Sequence, residues 1–182
     1  SPDIIDGVDV VPNGPIISSN DGKKAQNRTY QDLLKNEIDE KNFETLARSV
    51  LSKVSLKGKT KLLAKKNLYH EIDFSPDGKF ILISIIQKPF SYLVPYYRFP
   101  MKYAIYSSKG KELTVLHEVP LIEDLPKGFM AVRTGPRNFS WRSDRPSNLI
   151  FVEALDGGNP ETDIKYRDEI FEVGYPFKQN KV

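Results

Sequence analysis

Two apolar runs joined by a tight-turn sequence form the clearest pattern in the chain. In the first run Ile72 and Phe74 alternate with polar residues, which predicts a half-buried strand. The second run, Phe80–Ile86, is almost wholly apolar, which predicts a strand buried on both faces. Between them, Ser-Pro-Asp-Gly at 75–78 supplies the backbone angles of a hairpin turn. We therefore predict an antiparallel hairpin whose second strand lies between two packed sheets, as in a propeller blade.

The next stretch predicts a second hairpin, with strands at 101–107 and 112–118 around the polar turn 108–111. Before it, residues 88–100 carry three prolines and several aromatic side chains, and they predict a long aromatic loop. Together the two hairpins give four consecutive antiparallel strands, which make one complete blade.

The first pattern then returns further along the chain. The Phe-Ser pair at 74–75 recurs at 139–140, 65 residues later, and an apolar run again follows it, at 149–152. Once the aromatic loop and a second Pro-rich insertion at 120–137 are subtracted, the period is close to the about 40 to 45 residues of a four-stranded blade. The predicted fold is all-β: a partial β-propeller with one complete four-stranded antiparallel blade and parts of two neighbouring blades.

The N-terminal part is less regular. Residues 1–28 are rich in Pro, Gly and polar residues and predict an extended lead-in with at most a short strand at 8–11. A short helix is expected to begin at Thr29, because Thr29 can cap it, Asp32 follows three residues later, and apolar residues recur at helical spacing. Residues 43–56 are ambiguous, but the pattern favours a strand and a hairpin turn at 57–59.

The resulting division is a lead-in at 1–28 and a β-propeller segment at 29–182, with blade pieces at about 43–66, 69–119 and 137–177.

Composition narrows the classes of partner. The 182 residues are 39% hydrophobic, enough for a core, and 27 basic against 24 acidic residues give a net charge of only +3. Such a weak charge argues against nucleic acid or an anionic membrane as partner, and no apolar run approaches the roughly 20 residues of a membrane span. The absence of cysteine excludes disulfides and thiolate chemistry.

The compartment is not determined by these features. The chain starts at Ser1 without a methionine or a signal sequence, so we expect a removed leader or a trimmed chain. Export to the periplasm or the extracellular space is the favoured location.

Several segments of the chain form a specific combination of motifs. The most specific are the aromatic loop and, at a fixed distance after it, Arg-Thr-Gly-Pro-Arg at 133–137 and Leu-Asp-Gly-Gly at 155–158. The others are RTYQDLLKNEIDEKNF (28–43), SPDGKFILIS (75–84), VPLIEDLPKG (119–128) and YRDEIF (166–171). In these segments the chain resembles the glutamyl-endopeptidase-like branch of the prolyl oligopeptidase family of serine peptidases. The resemblance implies an N-terminal β-propeller that covers a C-terminal α/β-hydrolase domain with a Ser-Asp-His triad. This chain resembles only part of that propeller.

Catalytic chemistry is not predicted for the chain itself. It contains no G-x-S-x-G nucleophile elbow, and neither His70 nor His117 has a candidate elbow serine to pair with, so both are interpreted as structural. Metal-binding spacings are also absent, and no catalytic residue, metal or cofactor is assigned. The parent protein is expected to be a serine peptidase and this chain alone is not expected to be an enzyme.

Five residues of the two insertions are candidates for binding substrate: Tyr96, Tyr97, Arg98, Arg133 and Arg137. They can simply pack the loops and pair with internal carboxylates. They can also face a central channel or a domain interface, where an arginine would bind the carboxylate of an acidic peptide. Both interpretations stay open at this point.

The sequence thus predicts a non-catalytic propeller segment that gates or selects peptide substrates for a hydrolase domain. The alternatives are a stand-alone β-sheet module that binds a peptide or protein, and an enzyme with an unrecognised site. Expected partners are a peptide substrate or a C-terminal α/β-hydrolase domain. A homo-oligomer formed through open sheet edges is also expected.

Overall fold

In a computed structural model of the chain, the structure describes residue 4 and residues 30–178. Apart from Ile4, the predicted lead-in at 1–28, its short strand at 8–11 and the Thr29 cap lie outside the described residues. The described part contains one α-helix, one 3-10 turn and nine strands. They are α1 (Glu37–Ala47), β1 (Ser49–Val54), β2 (Thr60–Asn67), β3 (Tyr69–Phe74), β4 (Phe80–Ile86), the 3-10 turn Tyr96–Arg98, β5 (Met101–Ser107), β6 (Glu112–Val119), β7 (Arg137–Trp141), β8 (Asn148–Ala154) and β9 (Asp168–Gly174).

The strands form three antiparallel sheets that follow the order of the chain. β1 and β2 make a two-stranded sheet, β3–β4–β5–β6 a four-stranded sheet, and β7–β8–β9 a three-stranded sheet. The mostly β fold with one short helix is confirmed for the described residues. The four consecutive antiparallel strands expected between 69 and 119 are present as a simple meander.

Strand β4 lies between two other sheets, as its apolar sequence predicted. On one face Leu82 is 2% exposed and packs in a cluster with Leu149 and Val173 of the three-stranded sheet. On the other face Ile81, Ile83 and Ile85 form a cluster against the two-stranded sheet. Burial of apolar surface on both faces makes β4 the centre of the three layers.

The prediction that β3 is half-buried was wrong. Ile72 and Phe74 lie opposite Ile83 and Ile81 on the same face of the sheet, yet they are 40% and 55% exposed. The reason is the width of the covering layer, because the β1–β2 sheet has two strands where the sheet beneath it has four. It covers the isoleucines of β4 and leaves the apolar side chains of β3 in contact with solvent.

The helix begins later than predicted. Residues 30–36 are irregular, and α1 starts after Asn36, whose side-chain oxygen accepts hydrogen bonds from the backbone N–H groups of Ile38 and Asp39, both at 2.9 Å. The helix therefore includes residues 43–47, which were assigned to a strand, and β1 begins only at Ser49. Asn36 is a strong N-cap, and three acidic residues in the first turn complement the helix dipole.

The aromatic loop packs between α1 and the end of the four-stranded sheet. Phe43 of α1 meets Phe90 and Phe99 edge to face, with ring centroids 5.2 and 6.0 Å apart. Phe99 is 2% exposed and belongs to the same cluster as Met101 at the start of β5. This third core cluster fixes the position of the loop.

Candidate functional site

The long connections gather at one end of the sheets. Because the strands are antiparallel, the connections that follow β4, β6 and β8 leave from this end, and the short turns 75–79, 108–111 and 142–147 lie at the other. We call these ends the loop end and the turn end. Backbone hydrogen bonds join the three connections of the loop end: Ile122 N–H donates to the Arg98 carbonyl (3.0 Å) and Val132 N–H to the Gly158 carbonyl (3.1 Å).

A buried aspartate holds the Pro-rich insertion against the third sheet. Asp156 is 6% exposed and accepts hydrogen bonds from Gly158 N–H (2.7 Å) and Arg167 Nε (2.5 Å). Although burial opposes the change, these bonds hold the pKa of Asp156 below its usual value. Gly158 has φ +78°, and a Cβ there would lie 1.9 Å from the Val132 carbonyl oxygen, so only glycine fits. The two glycines of the Leu-Asp-Gly-Gly segment thus belong to a turn that docks the insertion.

Beside this turn lies an open cleft of about 470 Å³ between the end of β6 and the insertion. Its walls are mostly apolar, and among the residues that the structure describes Asp124 is the one acidic residue that lines it. The lining residues are His117, Val119, Pro120, Leu121, Ile122, Asp124, Leu125, Pro126, Val132, Arg133, Thr134, Gly135 and Gly157. A mainly apolar cleft with a few polar groups is typical of a binding site for a small molecule or a side chain.

Arg133 is the cation of this cleft. Its guanidinium donates to two backbone carbonyls of its own loop, to Thr134 O from Nη1 (3.1 Å) and to Pro136 O from Nη2. Within residues 30–178 it forms no ion pair with a carboxylate. Burial lowers the pKa of Arg133, the neighbouring charge of Arg137 lowers it further, and the Tyr103 hydroxyl opposes the change. Arg133 therefore carries a partly desolvated charge that no anion in the described part of the chain neutralises.

His117 lies beside Arg133 because β6 contains a bulge. The register of β5 and β6 shifts between the pairs Tyr103–His117 and Ala104–Val115, so that Leu116 is the extra residue. Leu116 and His117 then both face the third sheet, Leu116 in its core cluster and His117 near the Phe139 ring, 6.5 Å between centroids. Burial lowers the pKa of His117 and Arg133 lowers it further, while Glu153 and Glu118 act in the opposite direction.

Arg137 has an internal partner. Its Nη2 forms an ion pair with Asp168 at the start of β9, and its side chain is 11% exposed. Its Nε is buried and has no hydrogen-bond partner within the described residues. The ion pair with Asp168 gives Arg137 a carboxylate partner within the sheet itself.

The three candidates of the aromatic loop do not join this cleft. Arg98 is 6% exposed, and its guanidinium lies over the Tyr30 ring at 5.2 Å from the centroid. Tyr96 and Tyr97 are 50% and 56% exposed and meet each other edge to face at 5.8 Å. The five sequence candidates thus divide into an arginine in a cleft, an arginine paired with aspartate, a buried arginine and an exposed tyrosine pair.

The structure also brings a serine and a histidine together that the sequence did not pair. Ser84 Oγ lies 3.4 Å from His70 Nδ1, and the His70 ring contacts the Tyr96 ring at 6.0 Å between centroids. Ser84 is 1% exposed in the middle of β4, and among residues 30–178 no carboxylate hydrogen-bonds to His70. The pair lacks the exposed serine and the oriented histidine that nucleophilic catalysis requires.

Within residues 30–178 no group of three or more His, Asp or Glu side chains is placed to hold a metal ion. None of the helices in the same residues is long and apolar enough to cross a membrane.

Comparison with known proteins identifies the relatives. Over 162 residues the chain is 41% identical to the probable glutamyl endopeptidase, chloroplastic, of Oryza sativa subsp. japonica. It is 39% identical over 163 residues to the protein of the same name from Arabidopsis thaliana. The chain is related to these proteins. The matches cover 88% and 89% of this chain but 17% of each relative, so the chain spans about a sixth of their length.

This finding confirms the relationship that the motifs indicated. No family model matches the chain, and no solved structure matches it at a significant level. The names place both relatives in the chloroplast. A chloroplast location is compatible with a compartment other than the cytosol, but not with the export to the periplasm or the extracellular space that we expected.

Proposed function

We propose that the chain is a non-catalytic β-propeller segment of a prolyl-oligopeptidase-family serine peptidase, and that it gates or selects peptide substrates for a separate α/β-hydrolase domain. The stacked antiparallel meanders support the propeller interpretation. The first strands of two successive sheets also meet, because Trp141 Nε1 of β7 donates to the Asp73 carbonyl of β3 at 3.2 Å. In a propeller the first strand of each blade borders the central channel.

The observation that carries the selection role is Arg133 in its cleft. A half-buried arginine without a carboxylate partner carries a desolvation cost, and a ligand carboxylate would offset that cost by a charge-assisted hydrogen bond. The relatives are named for cleavage at glutamyl residues. We therefore propose that Arg133 binds the carboxylate of an acidic side chain, and that the apolar walls of the cleft contact its methylene groups.

The test measures binding of N-acetyl-L-glutamate amide to the 182-residue chain by calorimetry or NMR. The neutral N-acetyl-L-glutamine amide is the matched ligand, and the expected result is that Arg133→Gln reduces binding of the acidic ligand at least tenfold. Arg145→Gln is the matched protein control, because Arg145 is an exposed arginine in the turn 142–147 at the turn end. Equal binding of the two ligands, or equal loss in the two variants, would contradict acid selection.

In a full-length peptidase that carries this segment, Arg133→Ala should raise KM for acidic peptides and leave stability within about 1 kcal/mol, because the loss of two hydrogen bonds to loop carbonyls is offset by removal of a partly desolvated charge. Arg137→Ala should instead destabilise the protein without changing selectivity, because Arg137 is paired with Asp168.

A stand-alone binding module is the second candidate. The exposed pair Tyr96 and Tyr97 favours it, because exposed aromatic side chains on an ordered loop are typical of protein interfaces. If a peptide binds there, Tyr96→Ala and Tyr97→Ala should weaken its binding and Arg133→Gln should not. This pattern would support the module over acid selection at the cleft.

We also propose that the chain alone hydrolyses no peptide bond. A fluorophosphonate probe should not label it, because Ser84, the serine beside His70, is 1% exposed in mid-strand. Labelling that Ser84→Ala abolishes would contradict this.

Open sheet edges remain a proposed route to self-association. In the described part of the chain β1 and β9 each pair on one side only, and Val50, Val54 and Ile170 of these strands are more than half exposed. Light scattering over a wide concentration range tests this proposal, and a monomer throughout would reject it.

A further inference from the structure

His117 and Arg133 both line the cleft at the end of β6, and both lie within 4 Å of the position that a Cβ on Gly135 would take. The His117 Nε2 lies 3.4 Å from the position that a Cβ on Gly135 would take, so the ring rests against the backbone of the arginine loop. The His117 imidazole thus lies between the core residue Phe139 and the cleft. A ligand that reaches the Arg133 guanidinium is therefore close to the imidazole.

The charges around His117 come from every element that packs on it. The insertion contributes Arg133 and Asp124, which both line the cleft; β5 contributes Tyr103; and β7 contributes Arg137, which is paired with Asp168. Glu118 of β6 and Glu153 of β8 are the acids that act on the imidazole. Burial and Arg133 outweigh these two glutamates, so the free protein keeps His117 neutral near pH 7.

We infer that His117 is the second cation of the cleft: when the carboxylate of an acidic side chain binds to Arg133, His117 takes up a proton and the two groups hold the anion together. This inference rests on the proposed function, because it specifies how the same cleft holds an acidic ligand. Burial and the charge of Arg133 both keep the imidazole neutral in the free protein; the bound carboxylate offsets the second of these and places a negative charge beside the ring.

Proton uptake on binding makes affinity depend on pH in a defined direction. A ligand that raises the pKa of His117 binds more tightly as the pH falls through that pKa, and each unit of increase allows up to about a tenfold gain in affinity. The ligand itself stays ionised, because a glutamate side chain titrates near about pH 4.3. We therefore expect binding to tighten as the pH falls from about 8 to about 5.5, by at most about tenfold.

The experiment is an NMR titration of the histidine ring signals in the 182-residue chain, with and without N-acetyl-L-glutamate amide. The chain has only two histidines, and His70→Gln assigns the signals. The expected result is a His117 titration midpoint about one unit higher with the glutamate ligand, and an unchanged midpoint with N-acetyl-L-glutamine amide. The His70 midpoint should stay the same in both cases.

Variants separate the inference from the proposal on which it rests. His117→Gln and His117→Asn should lose the gain in affinity at lower pH, so that their affinity for the glutamate ligand changes little between about pH 8 and about pH 5.5, whereas His70→Gln should keep the gain. Binding that requires Arg133 but leaves the His117 midpoint unchanged would overturn this inference and retain acid selection. No binding of the ligand at any pH would overturn both.

Discussion

Two isoleucines that face each other across β3 and β4 provide a direct measure of the layered packing. Ile83 is 0% exposed and Ile72 is 40% exposed, and they are partners in the β3–β4 ladder on the same face of the sheet. Changing either one to alanine removes the same three carbon atoms. The difference between the two losses of stability therefore reports what the two-stranded sheet covers.

The expected magnitudes follow from burial. Loss of three carbons at about 0.8 kcal/mol each gives a transfer contribution of about 2.4 kcal/mol for a fully buried site. Ile83→Ala also leaves a cavity between two sheets that cannot easily close, so we expect a loss of about 4 kcal/mol, within the usual range for such changes. Ile72→Ala removes a side chain that is 40% exposed, and about 1.5 kcal/mol is expected with little cavity contribution.

The assay is urea unfolding followed by the fluorescence of Trp141, the only tryptophan of the chain. Its indole hydrogen-bonds from β7 to β3 and packs on Phe177, so its emission reports the contact between the second and third sheets. Far-UV circular dichroism gives an independent midpoint, and coincidence of the two probes tests two-state unfolding. Losses within about 0.5 kcal/mol of each other would refute the sandwiched position of β4.

Three further predictions concern a cap, a turn and a titrating carboxylate. Asn36→Ala should cost about 1 kcal/mol of unfolding free energy, and Asn36→Ser should restore most of it. Gly110→Ala should destabilise the chain far more than Gly78→Ala, since both have positive φ but a Cβ at Gly110 would lie 1.8 Å from a carbonyl oxygen of β2; equal losses in denaturant midpoints would contradict this. Although burial opposes the change, hydrogen bonds from Tyr106 and Lys102 lower the pKa of Glu112, so its stabilising contribution is present above its unfolded pKa of about 4.3 and is lost as the pH falls through the lower folded value. Unfolding free energies between about pH 3 and 7 should thus fall less steeply with acid in Glu112→Gln.

Local turn chemistry explains why the hairpins could be predicted from sequence. Gly78 takes φ +67° as its turn requires, and Asp77 accepts from Ser75 Oγ (2.7 Å) and Lys79 N–H (3.1 Å), all within five residues. The helix start was missed because the sequence offers two residues that can cap a helix, Thr29 and Asn36. The signal that could have located the helix start is Asn36 with Asp39 three residues later. In the structure Asp39 N–H donates to the Asn36 side chain, and the Asp39 carboxylate accepts from Lys35 N–H at 2.9 Å.

The position of His117 could not be predicted from alternation. A regular strand would place Leu116 and His117 on opposite faces, and the bulge places both toward the third sheet. A bulge depends on how two strands pair and leaves no clear local pattern. The neighbouring positions of His117 and Arg133 in the cleft therefore could not be predicted from the sequence.

The two arginines of Arg-Thr-Gly-Pro-Arg show most clearly that contacts between distant strands cannot be predicted from the local sequence. They are four residues apart and equivalent by type, but Arg137 lies at the first position of β7 and reaches Asp168, 31 residues away, at the start of β9. Arg133 precedes Gly135, which has φ +76°, and its guanidinium bonds to carbonyls of its own loop. Strand pairing thus neutralises one arginine and leaves the charge of the other beside a cleft. Because a neutral carbonyl partner does not cancel a charge, Arg133 is the arginine at which a ligand carboxylate gains most.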